Sequence, residues 1–215
     1  RARELVLIAM MCSFTVGSQV VLHIFLPVQI GTAIIILSGI SLGSEAGFLI
    51  GALSRLICNF YMGQGPWTPW QMFCWGILGF LAGLAFHVGQ KESLQSRNFS
   101  IVLGPVLLMA LALTAAWVCW LWFPGKDESF FGWRLYVFGA LGLLAGVIFQ
   151  RKRLSADSIT LCLFTFFTTF VVYGGIMNIS AMVTAAAIPS SGGIGWEPLR
   201  LLYFSAVPYD LYHAG

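Results

Sequence analysis

The chain of 215 residues is 59% hydrophobic and 9% charged, with a mean hydropathy of +0.88 and a formal net charge of +3. Soluble domains carry about 25% charged residues, so this composition excludes an ordinary water-solvated fold. The small positive balance marks no nucleic-acid surface, and no nucleic-acid partner is expected.

A chain solvated by lipid must satisfy its backbone hydrogen bonds internally, which leaves helices or a closed barrel. The apolar residues run continuously instead of alternating, so the barrel is excluded and an all-α polytopic bundle is expected. Spans are predicted at 5–25, 30–43, 45–62, 71–88, 101–123, 132–149, 158–180 and 198–215. The second is short for a crossing, which takes about 20 apolar residues. The chain starts at Arg1 without Met and stops inside an apolar run, and is expected to be a fragment lacking both true ends.

The first span carries Ala9, Ser13 and Gly17 at four-residue spacing, a small-residue face suited to a close helix partner. Arg1 and Arg3 precede this span, Lys91 and Arg97 follow the fourth, and Arg151, Lys152 and Arg153 follow the sixth. With eight spans these clusters fall on one side, so the N-terminus is expected in the cytoplasm. Gly43, Gly47 and Gly51 repeat the four-residue spacing in the third span, which also holds Arg55 at its middle and Asn59 near its end.

Between the third and fourth spans lies GQGPWTPWQ, residues 63–71. Two glycines and two prolines exclude a regular element there, and Pro66 and Pro69 make the segment rigid. By the charge rule it faces outside. Gln64, Trp67, Thr68, Trp70 and Gln71 in this segment, with Asn59 and Asn178, gather amides and indoles on one face of the membrane, a set suited to binding a small molecule. Trp67 and Trp70 read equally well as interfacial anchors.

The fourth span, WQMFCWGILGFLAGLAF at 70–86, aligns without gaps on WRLYVFGALGLLAGVIF at 133–149. Both copies keep a glycine pair, Gly79/Gly83 and Gly142/Gly146. Further along, Asp210 sits within the last span, and His213 follows one helical turn later. Arg55, Asp210 and His213 are intramembrane polar groups expected to pair or to relay protons. The five cysteines lie in apolar runs without metal spacing. No catalytic motif, metal site or cofactor motif is present, so no enzyme activity and no cofactor are expected in this chain.

The run TAIIILSGISLGSEAGFLIGALSRLICNFYMGQGPWTPWQMFCWGILGFLAG, with YGGIMN at 173–178 and VPYDLYHAG at 207–215, resembles the S component of energy-coupling factor (ECF) transporters. The resemblance implies a six-helix membrane subunit, N-terminus inside, in the cell membrane of a prokaryote, with an outward pocket for a water-soluble vitamin. It implies partners: a transmembrane coupling protein and two ATPase subunits, docked on a small-residue face of the first helix that is typically AxxxA. Here Ala9, Ser13 and Gly17 stand in that place, with Ser13 a departure. ATP hydrolysis in the partners would topple the subunit and open the pocket inward. Eight spans exceed six, so 1–215 is expected to form a single transmembrane domain with 99–149 as an inserted helix pair. The ligand expectation is cobalamin or a related corrinoid. The alternative is a self-sufficient secondary transporter using Arg55, Asp210 and His213.

Overall fold

The structure, a computed structural model, describes residues 2–25, 30–87, 105–122, 130–149, 157–186 and 194–214. These form α1 (Ala2–Phe25), α2 (Ile30–Leu42), α3 (Ser44–Met62), α4 (Thr68–Phe86), α5 (Pro105–Trp122), α6 (Phe130–Phe149), α7 (Ser158–Thr168), α8 (Gly175–Ala186) and α9 (Trp196–Ala214). A π-helical stretch, Thr169–Gly174, joins α7 to α8 without a break. Each predicted span therefore has its helix, and no strand occurs among the described residues. The clusters at 91–97 and 151–153 lie outside the described residues.

Two of the boundaries that differ from expectation have a local cause. The fourth helix starts at Thr68, not at 71, so Thr68, Pro69 and Trp70 are helical. Proline at the first helical positions costs no hydrogen bond and arrives with its φ already set, so Pro69 opens the helix where it was expected to stiffen a loop. The seventh span continues to Ala186 because the π turn ends at Gly174 and passes directly into α8 at Gly175.

The chain divides into two compact units, Arg1–Asn98 and Phe99–Gly215. In the first, α2, α3 and α4 meet backbone to backbone at glycines. A methyl group on Gly51 would collide with the carbonyl oxygen of Trp75, and one on Gly47 would stand 2.5 Å from that of Gly79. A methyl on Gly39 would strike the same Gly79 carbonyl. Around this node pack Ile35, Ile36, Ile50, Trp75, Leu78 and Phe86, all buried. Gly43, with φ at +99°, makes the corner between α2 and α3 that few other residues would adopt. In the short α2, eight residues are buried, so it is a core helix of this unit.

In the second unit α5 packs on α6, and α6 packs on α9 and on the π turn. The Tyr136 ring of α6 stacks on Phe170, with ring centres 5.0 Å apart, and meets Tyr203 at a 41° tilt, 4.7 Å between centres. Pro208 lies inside α9, where its nitrogen donates no helix bond.

Among the described residues, Ala2–Leu22, Thr68–Phe86 and Ser158–Ala186 are long and apolar enough to cross a membrane. Phe14, Phe60 and Ile148 are each more than 60% exposed, an arrangement that lipid stabilises and water does not.

The glycine node makes a testable claim on stability. Gly51→Ala is expected to destabilise the protein by about 1–3 kcal/mol through overpacking, read as a lower thermal midpoint in detergent. Gly17→Ala, where nothing lies within 4 Å of the added group, is expected to leave the midpoint unchanged or raise it.

Candidate functional site

The stripe that carries Gly43, Gly47 and Gly51 continues at the same spacing through Arg55, Asn59 and Gly63. One face of α3 thus changes from bare backbone to polar side chains along its length. Gly63, with φ at +112°, ends the helix, and its N–H donates to the Asn59 carbonyl at 2.9 Å.

The connection to α4 is a tight turn. The Thr68 N–H donates to the Gly65 carbonyl at 3.0 Å, and the Gly65 N–H donates to Thr68 Oγ1 at 3.2 Å. Pro66 occupies the second position of that turn, where its fixed φ fits. The Trp67 ring lies against Gly65, whose missing side chain leaves room for it.

Asn59 joins this turn to the two helices. Its Nδ2 donates to Thr68 Oγ1 at 3.2 Å and to Gln71 Oε1 at 2.9 Å. Arg55 Nε donates to the same Gln71 oxygen at 3.0 Å. The guanidinium carbon of Arg55 stands 5.0 Å from the centre of the Trp75 ring, in cation–π reach. Cys58 Sγ donates to Gln19 Oε1 of α1 at 3.3 Å.

Of the residues expected to bind a ligand, Asn59 and Thr68 are only 1% and 5% exposed, and they brace the turn. Trp67 is 41% exposed, Gln64 is exposed, and Trp70 and Gln71 are half-buried. The first unit therefore presents Gln64, Trp67, Trp70 and Gln71 on a frame made by Asn59 and Thr68.

In the second unit, Asp210 is buried at 5% exposure. Its Oδ2 accepts hydrogen bonds from Tyr136 Oη and, at 3.1 Å, from Asn178 Nδ2. Tyr203 Oη donates to the Gly175 carbonyl at 2.9 Å. A side chain on Gly174 would stand 2.6 Å from Asp210 Oδ2, so the π turn can approach the carboxyl only through a glycine. Asn178, expected among the ligand-binding amides, is thus a partner of Asp210. The side chain of His213 lies outside the described residues.

Ala9, Ser13 and Gly17 are all exposed along α1, and Ser13 Oγ donates to the Ala9 carbonyl at 2.9 Å. Its hydroxyl is therefore satisfied within the helix and leaves a small, smooth face.

Gln19, Trp75, Tyr136 and Tyr203 were not anticipated. Tyr136 carried a signal: in the internal repeat it replaces Phe73, adding a hydroxyl where the first copy has none. Gln19 is a single amide in an apolar span, a comparable mark. Among the described residues no three His, Cys, Asp or Glu side chains gather as a metal site.

Apolar helices joined through glycine contacts, with amides and a guanidinium tied together inside, define an all-α integral membrane protein. The chain matches the family model described as "ECF-type riboflavin transporter, S component" over residues 1–131, and it belongs to that family. It is thus the vitamin-binding membrane subunit of an ECF-type transporter. No curated protein and no solved structure gives a match.

The second unit yields its own prediction. Asp210→Ala leaves the Tyr136 hydroxyl and the Asn178 amide buried without their acceptor and is expected to cost about 2–5 kcal/mol, seen as a lower thermal midpoint in detergent. Tyr136→Phe removes one donor and is expected to cost about 1–2 kcal/mol in the same assay.

Proposed function

We propose that the chain binds riboflavin from the outside of a prokaryotic cell membrane and releases it inward with an ECF coupling protein and two ATPase subunits. The family's description names riboflavin and gives the earlier corrinoid expectation no support, so riboflavin takes its place. The observation that carries this reading is the braced turn between α3 and α4. Its hydrogen bonds to Asn59 hold Trp67, Trp70 and Gln71 in position before any ligand arrives. A preorganised site loses little entropy on binding. Two indoles and an amide suit a flat heteroaromatic ring with carbonyl edges.

The partner surface in this reading is the α1 face of Ala9, Ser13 and Gly17. Its exposure and the self-satisfied Ser13 hydroxyl support a close helix–helix contact. Residues 99–149 are proposed as an added helix pair, consistent with the division of the chain at 98/99 and with the packing of α5 on α6.

The direct test is binding by the purified protein in detergent, followed by quenching of riboflavin fluorescence, with cyanocobalamin tested in parallel by calorimetry. Saturable binding of riboflavin alone supports the proposal, whereas binding of cyanocobalamin alone restores the corrinoid. With riboflavin bound, Trp67→Ala is expected to weaken affinity by about 1–3 kcal/mol. Ser13→Leu is expected to abolish co-purification with the coupling protein while leaving riboflavin affinity unchanged. Uptake that proceeds without coupling subunits would instead support a self-sufficient carrier.

A further inference from the structure

Arg55 is the twelfth of nineteen residues in α3, and its helix runs on for seven more residues, about 10 Å. A guanidinium at such a place in a membrane protein is costly unless it is paired or lines a cavity. Its partners here are neutral. Nε donates to Gln71, and the cation rests against the Trp75 ring. No carboxylate pairs with it among the described residues, and neither Nη atom has an acceptor among them.

The orientation of Gln71 follows from its neighbours. Arginine carries donors only, so the Gln71 atom facing it is the oxygen. That oxygen also accepts from Asn59. The Gln71 Nε2 group is consequently turned away from both, and it has no acceptor among the described residues. On the half-buried Arg55 and Gln71, the groups left unused, the guanidinium Nη pair and the amide Nε2, are all donors. The Trp75 contact and the Nε bond fix the plane of the guanidinium, leaving a rigid fork of Nη donors.

We infer that Arg55 and Gln71 form a donor-only clamp for the acceptor edge of the bound ligand, which makes Arg55 a specificity-determining residue. This inference rests on the riboflavin reading and names the part of the ligand that is held. In the isoalloxazine ring system that edge is N1 with the adjacent C2 carbonyl, two acceptors side by side that match a guanidinium fork. The ring methyl groups at the far end offer no acceptor, so the clamp also sets which end of the ring enters. A clamp of donors alone rejects a ligand that presents N–H groups to Arg55 and Gln71, because both sides would be left unpaired.

The experiment measures affinity of the full chain in detergent for riboflavin and for 2-thioriboflavin, whose sulfur is a poorer acceptor at the one atom in question. Wild-type protein is expected to prefer riboflavin by about tenfold, and Arg55→Gln to lose about 10- to 100-fold in riboflavin affinity along with most of that preference. Arg55→Lys keeps the charge without the fork and is expected to recover only part of the loss. Equal binding of the two ligands by wild-type protein overturns the clamp without recourse to any variant. An Arg55→Gln protein that keeps wild-type riboflavin affinity, or keeps the full preference, overturns it as well. Wild-type protein that binds no riboflavin overturns the substrate reading, and the clamp falls with it, so the two failures are distinguishable.

Discussion

Three helix backbones touch at Gly39, Gly47, Gly51 and Gly79, and the placement of the polar groups in the first unit follows from that contact. In lipid no hydrophobic force drives helices together, so association depends on close packing. Each glycine here stands where a methyl group would meet a carbonyl oxygen. The contact fixes the separation of α3 and α4 along half their length. Beyond it the same face of α3 carries Arg55 and Asn59, which reach α4 at Gln71 and Thr68. A wider spacing would put those hydrogen bonds out of range. The glycines thus act at a distance on the site: they set a gap that short polar side chains can bridge.

The second unit solves a related problem with different chemistry. A buried carboxyl is expensive in a low-dielectric setting and is kept where donors converge on it. Asp210 receives Tyr136 from α6 and Asn178 from α8, so one carboxyl ties three helices. The approach requires Gly174, and the π turn that contains it shifts the helix register just before Asn178. Tyr136 then serves twice, once through its hydroxyl and once through a ring stacked on Phe170 and tilted against Tyr203.

Much of this was legible in the sequence because membrane helices obey few rules. Continuous apolar runs gave all eight helical segments, and the four-residue glycine spacing gave the contact face. Arg55, Asn59, Gln71, Asn178 and Asp210 stood out because a polar residue in an apolar span is rare. What the pattern did not give was partnership. Composition marks a polar residue as important without saying which of several others it meets, so Asn178 was grouped with the amides of the 63–71 segment although it bonds to Asp210. The start of α4 was misplaced for a local reason: proline breaks a helix interior but opens a helix at its first turn, and Pro69 does the second. The π turn was illegible because one extra residue in a helix leaves no mark on hydropathy.

The division of labour within the turn bears on how such a site would discriminate. The Asn59 amide donors and the Thr68 oxygen are engaged within the protein, where they brace the turn. Had the same residues faced outward, the turn would need a ligand to hold it, and ordering the loop would reduce affinity for every ligand alike. With the turn braced internally, the groups proposed to meet a ligand are few and of definite kind: indole faces on Trp67 and Trp70, amides on Gln64 and Gln71 and the guanidinium of Arg55. In the proposed site, specificity would come from the mismatch between these groups and a wrong ligand. A small number of fixed donors rejects more sharply than a large number of adaptable ones, because each unmatched donor retains its full cost.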